Sequence, residues 1–429
     1  MSDFERKQRA VSTSRLGRLF STGRSAAGLA ATFLRGREGN VDLAAVERLV
    51  ERLGELRGLG MKVGQLASFI DPSLPPEARA LLSRLQREAV ASEPSAVRAT
   101  LEQAFGARAG QLLEGLEPRP VAVASIGQVH RATLPGFGEL AVKVRHPGIA
   151  QALAVDFSTA LGGVGLANAL TFGLATDARA LIDEARAAML DECDFSKEAA
   201  YQRAFAGWLK DDPVLVVPEV IDAWSTPEVL TTRWEPGLTL EQFLATGPSQ
   251  AQRDTAASAL FRASVGGFYW LGLLHGDPHP GNFAFREGRV VLYDFGCVRR
   301  FTTEQTSAFA DMARALREDD RPALLAAAAR FGFRVAGAEQ VASFERFARA
   351  FFAPMLRRGP SIIPPDGAFE VREVMKDKLA MAKLGLPRHL LFLLRLRFGL
   401  YAVLSRLGAR VDWGALELDA SDGARRQAG

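Results

Sequence analysis

The stretch that most constrains this chain is His275-Gly276-Asp277-Pro278-His279-Pro280-Gly281-Asn282, followed closely by Tyr293-Asp294-Phe295-Gly296. Between them, apolar residues of Phe283–Val291 flank the turn-forming run Arg286-Glu287-Gly288-Arg289, a pattern that predicts a β-hairpin. One hairpin then carries Asp277 and Asn282 at its entrance and Asp294 at its exit. Asn282 stands five positions after Asp277, and Asp294 twelve further on. Phosphoryl transfer needs groups of this kind: one carboxylate to orient a nucleophile, and an amide oxygen and a second carboxylate to hold Mg²⁺ against phosphates.

Composition permits such an enzyme and argues against several alternatives. The chain has 429 residues, long enough for two or three domains, with 48% hydrophobic and 24% charged residues. A formal net charge of +4 gives no reason to expect nucleic acid as a partner. Two cysteines, Cys193 and Cys297, make neither a disulfide framework nor a zinc pattern, so a reducing cytosol is expected. Pro278 and Pro280 oppose the helix that would bring His275 and His279 together on a metal. The polar start of the chain carries no secretory signal. Phe157–Thr176 has twenty residues without a charge, but weak hydrophobicity makes it a buried helix rather than a span.

Taken in order, residues 11–37 interleave apolar residues with Arg15, Arg18, Arg24, Arg35 and Arg37. They read as a basic amphipathic helix, which either lies on an anionic membrane surface or packs on the protein's own body. Val41 to about Gly115 has helical periodicity and contains Lys62, Gly64 and Gln65. From Pro118 to Val144 the pattern turns to strands. Lys143 alternates there with Val142 and Val144, as in the strand lysine that grips nucleotide phosphates in kinases. The turn upstream, Ala122-Val123-Ala124-Ser125-Ile126-Gly127, replaces a glycine-rich loop with side-chain-bearing residues, so nucleotide is expected to sit differently beneath it. An acidic helix over Asp177–Lys210 contains Glu192, Asp194 and Glu198; Asp194 and Glu198 would share a face, and Glu198 is the candidate partner of Lys143. Arg233-Trp234-Glu235 reads as a hinge whose backbone could take an adenine edge. Val214–Val220 and Val229–Thr232 read as further strands; the rest is predicted helical, first over Gln250–Leu274 and then from Thr303 to Leu407, with a disordered tail over 419–429.

These residues together resemble the UbiB/AarF family of atypical kinase-like proteins. The matching motifs are Lys62-Val63-Gly64-Gln65, Ala122–Ser125, Glu192-Cys193-Asp194, Glu198, Asp277 with Asn282, and Asp294-Phe295-Gly296. The resemblance implies an α+β, protein-kinase-like two-lobed fold with a helical N-terminal extension. The expected division is 1–37 amphipathic segment, 38–117 extension, 118–235 N-lobe with inserted helices and 236–418 helical C-lobe. It also implies ATP or ADP and Mg²⁺ as ligands. Lys143 would hold the phosphates, Glu198 would orient it, Asp277 would position the acceptor, and Asn282 and Asp294 would bind the metal. Lys62, Gly64, Gln65, Glu192 and Asp194 would form a lid over the site. Family members support ubiquinone biosynthesis, are linked to membranes and lipids, and show ATPase activity more readily than protein phosphorylation. Two departures stand out: Val123 where the family favours Ala, and no C-terminal membrane anchor of the kind many bacterial members have. The expectation is therefore a cytoplasmic ATPase, peripheral on a membrane's inner face, with a lipid or quinone precursor as a further ligand. A small-molecule or lipid kinase, and a nucleotide-gated chaperone of lipid-biosynthetic enzymes, are the alternatives.

Overall fold

The computed structural model describes residues 91–154, 186–187, 189–364, 387 and 389–428. By compactness the chain forms two units. One runs to Ala199 and takes in Glu219–Trp234; the other is Ala200–Pro218 with Glu235 onward. The division falls between Trp234 and Glu235, and residues 200–218 belong to the second unit.

The chain enters the first unit through α1 (Pro94–Phe105) and α2 (Ala109–Glu114). Proline at the start of α1 costs no hydrogen bond, and Val97, Leu101 and Phe105, spaced by four, form its buried face. Strands β1 (Ala122–Val123), β2 (Gly127–Leu134) and β3 (Gly138–Arg145) follow, then helix α3 (Phe195–Trp208). Next come β4 (Leu215–Val216), which belongs to the second unit, and β5 (Val229–Arg233). The first unit's sheet is antiparallel in the order β1-β2-β3-β5. Alternation along β3 buries Leu140, Val142 and Val144 against α1, α2 and Trp224, and sends Lys143 and Arg145 to the other face. Phe105 meets Trp224 edge to face, 5.0 Å between centroids.

The second unit continues with α4 (Leu240–Ala245) and α5 (Gln250–Phe261). A π-helical turn, Arg262–Gly266, leads into α6 (Gly267–Leu271). Then come β6 (Leu273–His275), the hairpin of β7 (Phe283–Arg286) and β8 (Arg289–Leu292), and β9 (Val298–Arg300). β4 adds to the hairpin in parallel, giving the order β4-β8-β7, and β6 pairs with β9. The hairpin closes through Glu287 and Gly288 at φ 48° and 77°, the positive values that a two-residue primed turn requires. Helices α7 (Thr303–Glu318), α8 (Arg321–Phe331) and α9 (Ala338–Leu356), strand β10 (Ser361–Ile362), helix α10 (Leu390–Leu407), strand β11 (Arg410–Val411) and helix α11 (Trp413–Ala428) complete it. Its core is one large cluster containing Phe205, Phe261, Phe268, Phe309, Phe331, Phe344, Phe347 and Trp413.

Three expectations need correction. The acidic helix breaks at Cys193-Asp194, so Asp194 stands outside α3 and shares no helical face with Glu198; its Oδ1 instead accepts Ser196 N–H at 3.0 Å. The helix expected over Gln250–Leu274 is interrupted by the π turn and ends in β6. The tail expected to be disordered from 419 is helical to Ala428. Its anchor is Glu417, buried against Arg397 at 2.7 and 2.9 Å with Tyr269 Oη donating to the same carboxylate at 2.9 Å. The guanidinium also lies over Phe309, Phe351 and Phe352. Burial works to lower the Arg397 pKa, but the Glu417 carboxylate with Tyr401 and Tyr269 together outweigh it, and the net shift is upward. Burial pushes the neighbouring Tyr401 up to about 12.

Among the described residues no helix is long and apolar enough to cross a membrane. The amphipathic segment 11–37, the uncharged stretch Phe157–Thr176, and Lys62, Gly64 and Gln65 lie outside the described residues.

Candidate active site

In the first unit, β3 places Lys143 opposite the first turn of α3. Lys143 Nζ meets both oxygens of Glu198, at 2.7 and 2.9 Å, and lies 5.2 Å from the centre of the Phe195 ring. Glu198 is 4% exposed, so its charge depends on this partner. The expected pairing is therefore formed.

Two residues that the sequence reading missed follow Lys143 directly. Arg145 lies on the same face of β3 and donates to the Cys193 carbonyl at 2.6 Å, which fixes the Glu192-Cys193-Asp194 segment. Glu228 holds the same guanidinium at 3.1 Å. His146 bonds to the carbonyls of Ala124 and Ile126 in the Ala122–Gly127 loop. A second cation two positions after a functional strand lysine was the available signal for Arg145; nothing local marked His146. Burial pushes the Cys193 thiol up to about 11, against the pull of Arg145, so this cysteine is a packed residue and no nucleophile.

The hinge residues are committed more than expected. Trp234 N–H donates to Glu139 C=O at 3.0 Å, extending the β3–β5 ladder, and its ring packs beneath the Arg131 guanidinium. Arg233 binds Phe137 C=O and the Glu219 carboxylate. In the second unit, Glu235 pairs with Arg286 at 2.7 Å, and its carbonyl accepts Tyr293 Oη–H at 2.7 Å. Burial, helped by Glu235, pushes Tyr293 up to about 12, so it stays a donor. Any adenine contact from this stretch must use the remaining backbone groups.

The second unit places Asp277 and Asn282 before the β7–β8 hairpin and Asp294 after it. Asn282 Nδ2 donates to Asp277 C=O at 3.0 Å, and Tyr293 N–H donates to Asn282 C=O at 2.9 Å. The first bond uses the amide nitrogen and leaves Oδ1, the group that can serve as an oxygen ligand, outside it. Asp294 Oδ1 accepts Gly296 N–H at 2.9 Å, which sets its carboxylate in the turn after β8. Two oxygen donors on one hairpin suit Mg²⁺, which takes few protein ligands and completes its shell with water and phosphate.

Behind these residues is an aromatic support. His275 Nε2 donates to Asp294 C=O at 2.7 Å. Phe295 packs edge-on to His275 at 5.4 Å, and Phe205 of α3 lies 5.2 Å from Phe295 and 6.1 Å from His275. Phe205 reaches them because α6 begins with glycine: a Cβ on Gly267 would lie 2.6 Å from the Phe205 ring. The catalytic loop is also braced by α10, where a Cβ on Gly399 would lie 2.6 Å from Pro278 Cγ.

Strand lysine with helix glutamate, and loop aspartate and asparagine with a following Asp-Phe-Gly, define a kinase-like domain of mixed helix and sheet. Residues 84–328 match the ABC1 atypical kinase-like domain, and the chain belongs to that family. It is 31% identical over 337 residues to atypical kinase COQ8B, mitochondrial, of Rattus norvegicus, covering 74% of this chain and 63% of that one. It is 30% identical over 315 residues to atypical kinase COQ8, mitochondrial, of Saccharomyces cerevisiae, covering 70% and 62%. The chain thus spans less than two thirds of the length of these relatives. Among solved structures, Rv3197 of Mycobacterium tuberculosis in complex with erythromycin is similar, with a TM-score of 0.59 and 28% identity over 87% of this chain and 94% of that one.

Proposed function

We propose that this chain is a Mg²⁺-dependent, ATP-binding, kinase-like ATPase that serves ubiquinone or isoprenoid-lipid metabolism. The formed Lys143–Glu198 pair carries the nucleotide part of this reading, since a buried lysine–carboxylate pair of this kind presets an ammonium for phosphate. Lys143 would hold the α- and β-phosphates, with the Ala122–Gly127 backbone covering them. Asn282 and Asp294 would hold Mg²⁺, whose charge offsets that of the phosphates in transfer. Asp277 would orient the attacking water or hydroxyl. Lys62, Gly64, Gln65, Glu192 and Asp194 would restrict access as a lid. The COQ8 names of the relatives and the UbiB motifs support the metabolic assignment. A peripheral contact of residues 11–37 with an anionic membrane belongs to the same proposal.

The test is nucleotide binding by thermal shift. At a hundred times its Kd, Mg-ATP should stabilise the wild type by about 2.7 kcal/mol. Asp294→Asn, lacking a metal-binding charge, should lose most of that shift. A full shift in the variant would remove Asp294 from the site. Liposomes of anionic lipid should raise phosphate release by the whole chain, and not by a chain lacking residues 1–37.

A further inference from the structure

The loop between β1 and β2 is built unlike the hairpin that carries Asp294. Ala122 pairs with Val129 and Val123 with Gln128, so its two-residue tip is Ser125-Ile126. Two-residue hairpin loops hold their strands together through positive φ values. Glu287 and Gly288 have them; neither Ser125 nor Ile126 does. The tip closes with a single backbone bond, Ala124 N–H to Gly127 C=O at 2.8 Å. Its shape must therefore be held from outside.

His146 supplies that hold with two donors. Its backbone N–H reaches Ile126 C=O at 2.8 Å, and its Nε2 reaches Ala124 C=O at 3.2 Å. A carbonyl only accepts, so Nε2 bears a proton, and the other ring nitrogen, Nδ1, is hydrogen-bonded to Ser92 Oγ at 2.7 Å. The same reasoning fixes the neighbouring bonds. His130 Nδ1–H donates to Glu117 C=O at 2.8 Å, so its Nε2 accepts from the Gln128 amide at 2.8 Å. Gln128 Oε1 then faces Ser92 N–H at 2.6 Å. Gln128, His130 and His146 are 1, 2 and 4% exposed. The three side chains belong to one hydrogen-bonded chain, which Ser92 joins through its backbone N–H to Gln128 and its hydroxyl to His146.

A trans peptide is planar, with N–H and C=O opposed. Tying the carbonyls of Ala124 and Ile126 to His146 therefore turns the N–H groups of Ser125 and Gly127 the other way. Ser125 N–H has no backbone partner among the described residues, and Gly127 faces Arg145 at a non-hydrogen-bonded position of the β2–β3 ladder, since Arg145 N–H donates to Glu228 C=O instead. Two free backbone donors turned to one side of a bend can both give charge-assisted hydrogen bonds to an anion. Glycine at 127 is required for this approach, since a Cβ there would lie 2.5 Å from Val144 C=O.

We propose that His146, locked by Ser92, is the positioning residue that aims the Ser125 and Gly127 N–H groups at nucleotide phosphate. The proposal rests on the nucleotide reading above and adds the device that replaces a glycine-rich loop.

Three variants of the full chain test it: His146→Leu, which removes the ring donor; His146→Gln, which keeps a donor and an acceptor; and Ser92→Ala. Affinities for Mg-ATP and for adenosine are measured, with amide exchange over residues 122–130 in the absence of nucleotide. His146→Leu should weaken Mg-ATP binding about tenfold, the scale of one lost hydrogen bond to an oriented group. Adenosine affinity should stay unchanged, and exchange over 122–130 should rise. His146→Gln should stay within about threefold of wild type, with Ser92→Ala between the two. Equal loss of ATP and adenosine affinity, or no loss of either, overturns the positioning role. A wild type that binds no nucleotide overturns the functional reading itself.

Discussion

Asp277 is held by its backbone: its carbonyl takes the Asn282 amide at 3.0 Å, and Pro278 beside it packs on Gly399 of α10. On the proposed function the carboxylate orients the acceptor and does not hold the nucleotide. Replacing it by an amide of the same shape should leave nucleotide affinity intact and act on the transition state alone. We expect Asp277→Asn to lower kcat for phosphate release by about a hundredfold or more, with the Kd for Mg-ATP unchanged. A kcat within a few-fold of wild type would make Asp277 structural. Single residues also set a pH limit. Burial holds His130 and His389 below the ordinary histidine value of 6.5, outweighing the hydrogen bonds that oppose it. Both are neutral in the fold and protonate more readily once unfolded, so the unfolded chain binds more protons below that value. Their contribution to stability is complete above 6.5 and is lost as the pH falls through the folded values. The melting temperature should therefore drop between about pH 7.5 and about pH 5.5, and drop less in His130→Gln.

At the scale of elements, the π turn between α5 and α6 ends at Gly266 and Gly267, whose missing side chains admit Trp208 and Phe205. In an exposed helix interior, Gly→Ala stabilises by about 1 kcal/mol. Here the sign should reverse: Gly267→Ala should cost about 1–3 kcal/mol by overpacking and displace the Phe205–Phe295–His275 stack beneath Asp294. Denaturant unfolding measures the cost, and a reduced Mg-ATP thermal shift reports the displacement. What could be read from the sequence follows the same division. The β7–β8 hairpin and its three functional residues were legible because strand period, turn residues and metal-loop spacing all lie within a few positions of one another. Lys143 and Glu198 were legible because their residue types repeat a known pairing. The roles of Arg145, His146 and Gly267 were not, since each is defined by a partner far along the chain. The helix break at Cys193-Asp194 was hidden because Asp194 is equally acceptable within a helical pattern and as a cap.

Across the whole molecule, the C-terminal helix shows why a polar tail can be ordered. Trp413 packs in the core at the start of α11, but beyond it Leu416 and Ala420 are only partly buried. Order comes from Glu417, whose buried ion pair with Arg397 of α10 no hydrophobic count would register. Removing one partner of such a pair strands the other charge, so Glu417→Ala should destabilise the protein by about 3–5 kcal/mol in equilibrium unfolding. The double change of Glu417 and Arg397 to apolar residues of similar volume should recover most of that loss.

The two groups of functional residues also differ in how much chain must close to form them. Asp277, Asn282 and Asp294 are joined by one hairpin, whereas the Lys143–Glu198 contact closes a loop of 55 residues. Hairpins form within about 1–10 μs, and contacts distant in sequence arrive later because the ordering entropy is lost before the contact is gained. Asp277, Asn282 and Asp294 should therefore reach native arrangement before the Lys143–Glu198 pair exists. In pulsed amide exchange during refolding, β7 and β8 should be protected ahead of β3 and the start of α3. On the proposed function, a newly made chain would acquire the residues assigned to Mg²⁺ first, and those assigned to nucleotide only once the long loop had closed.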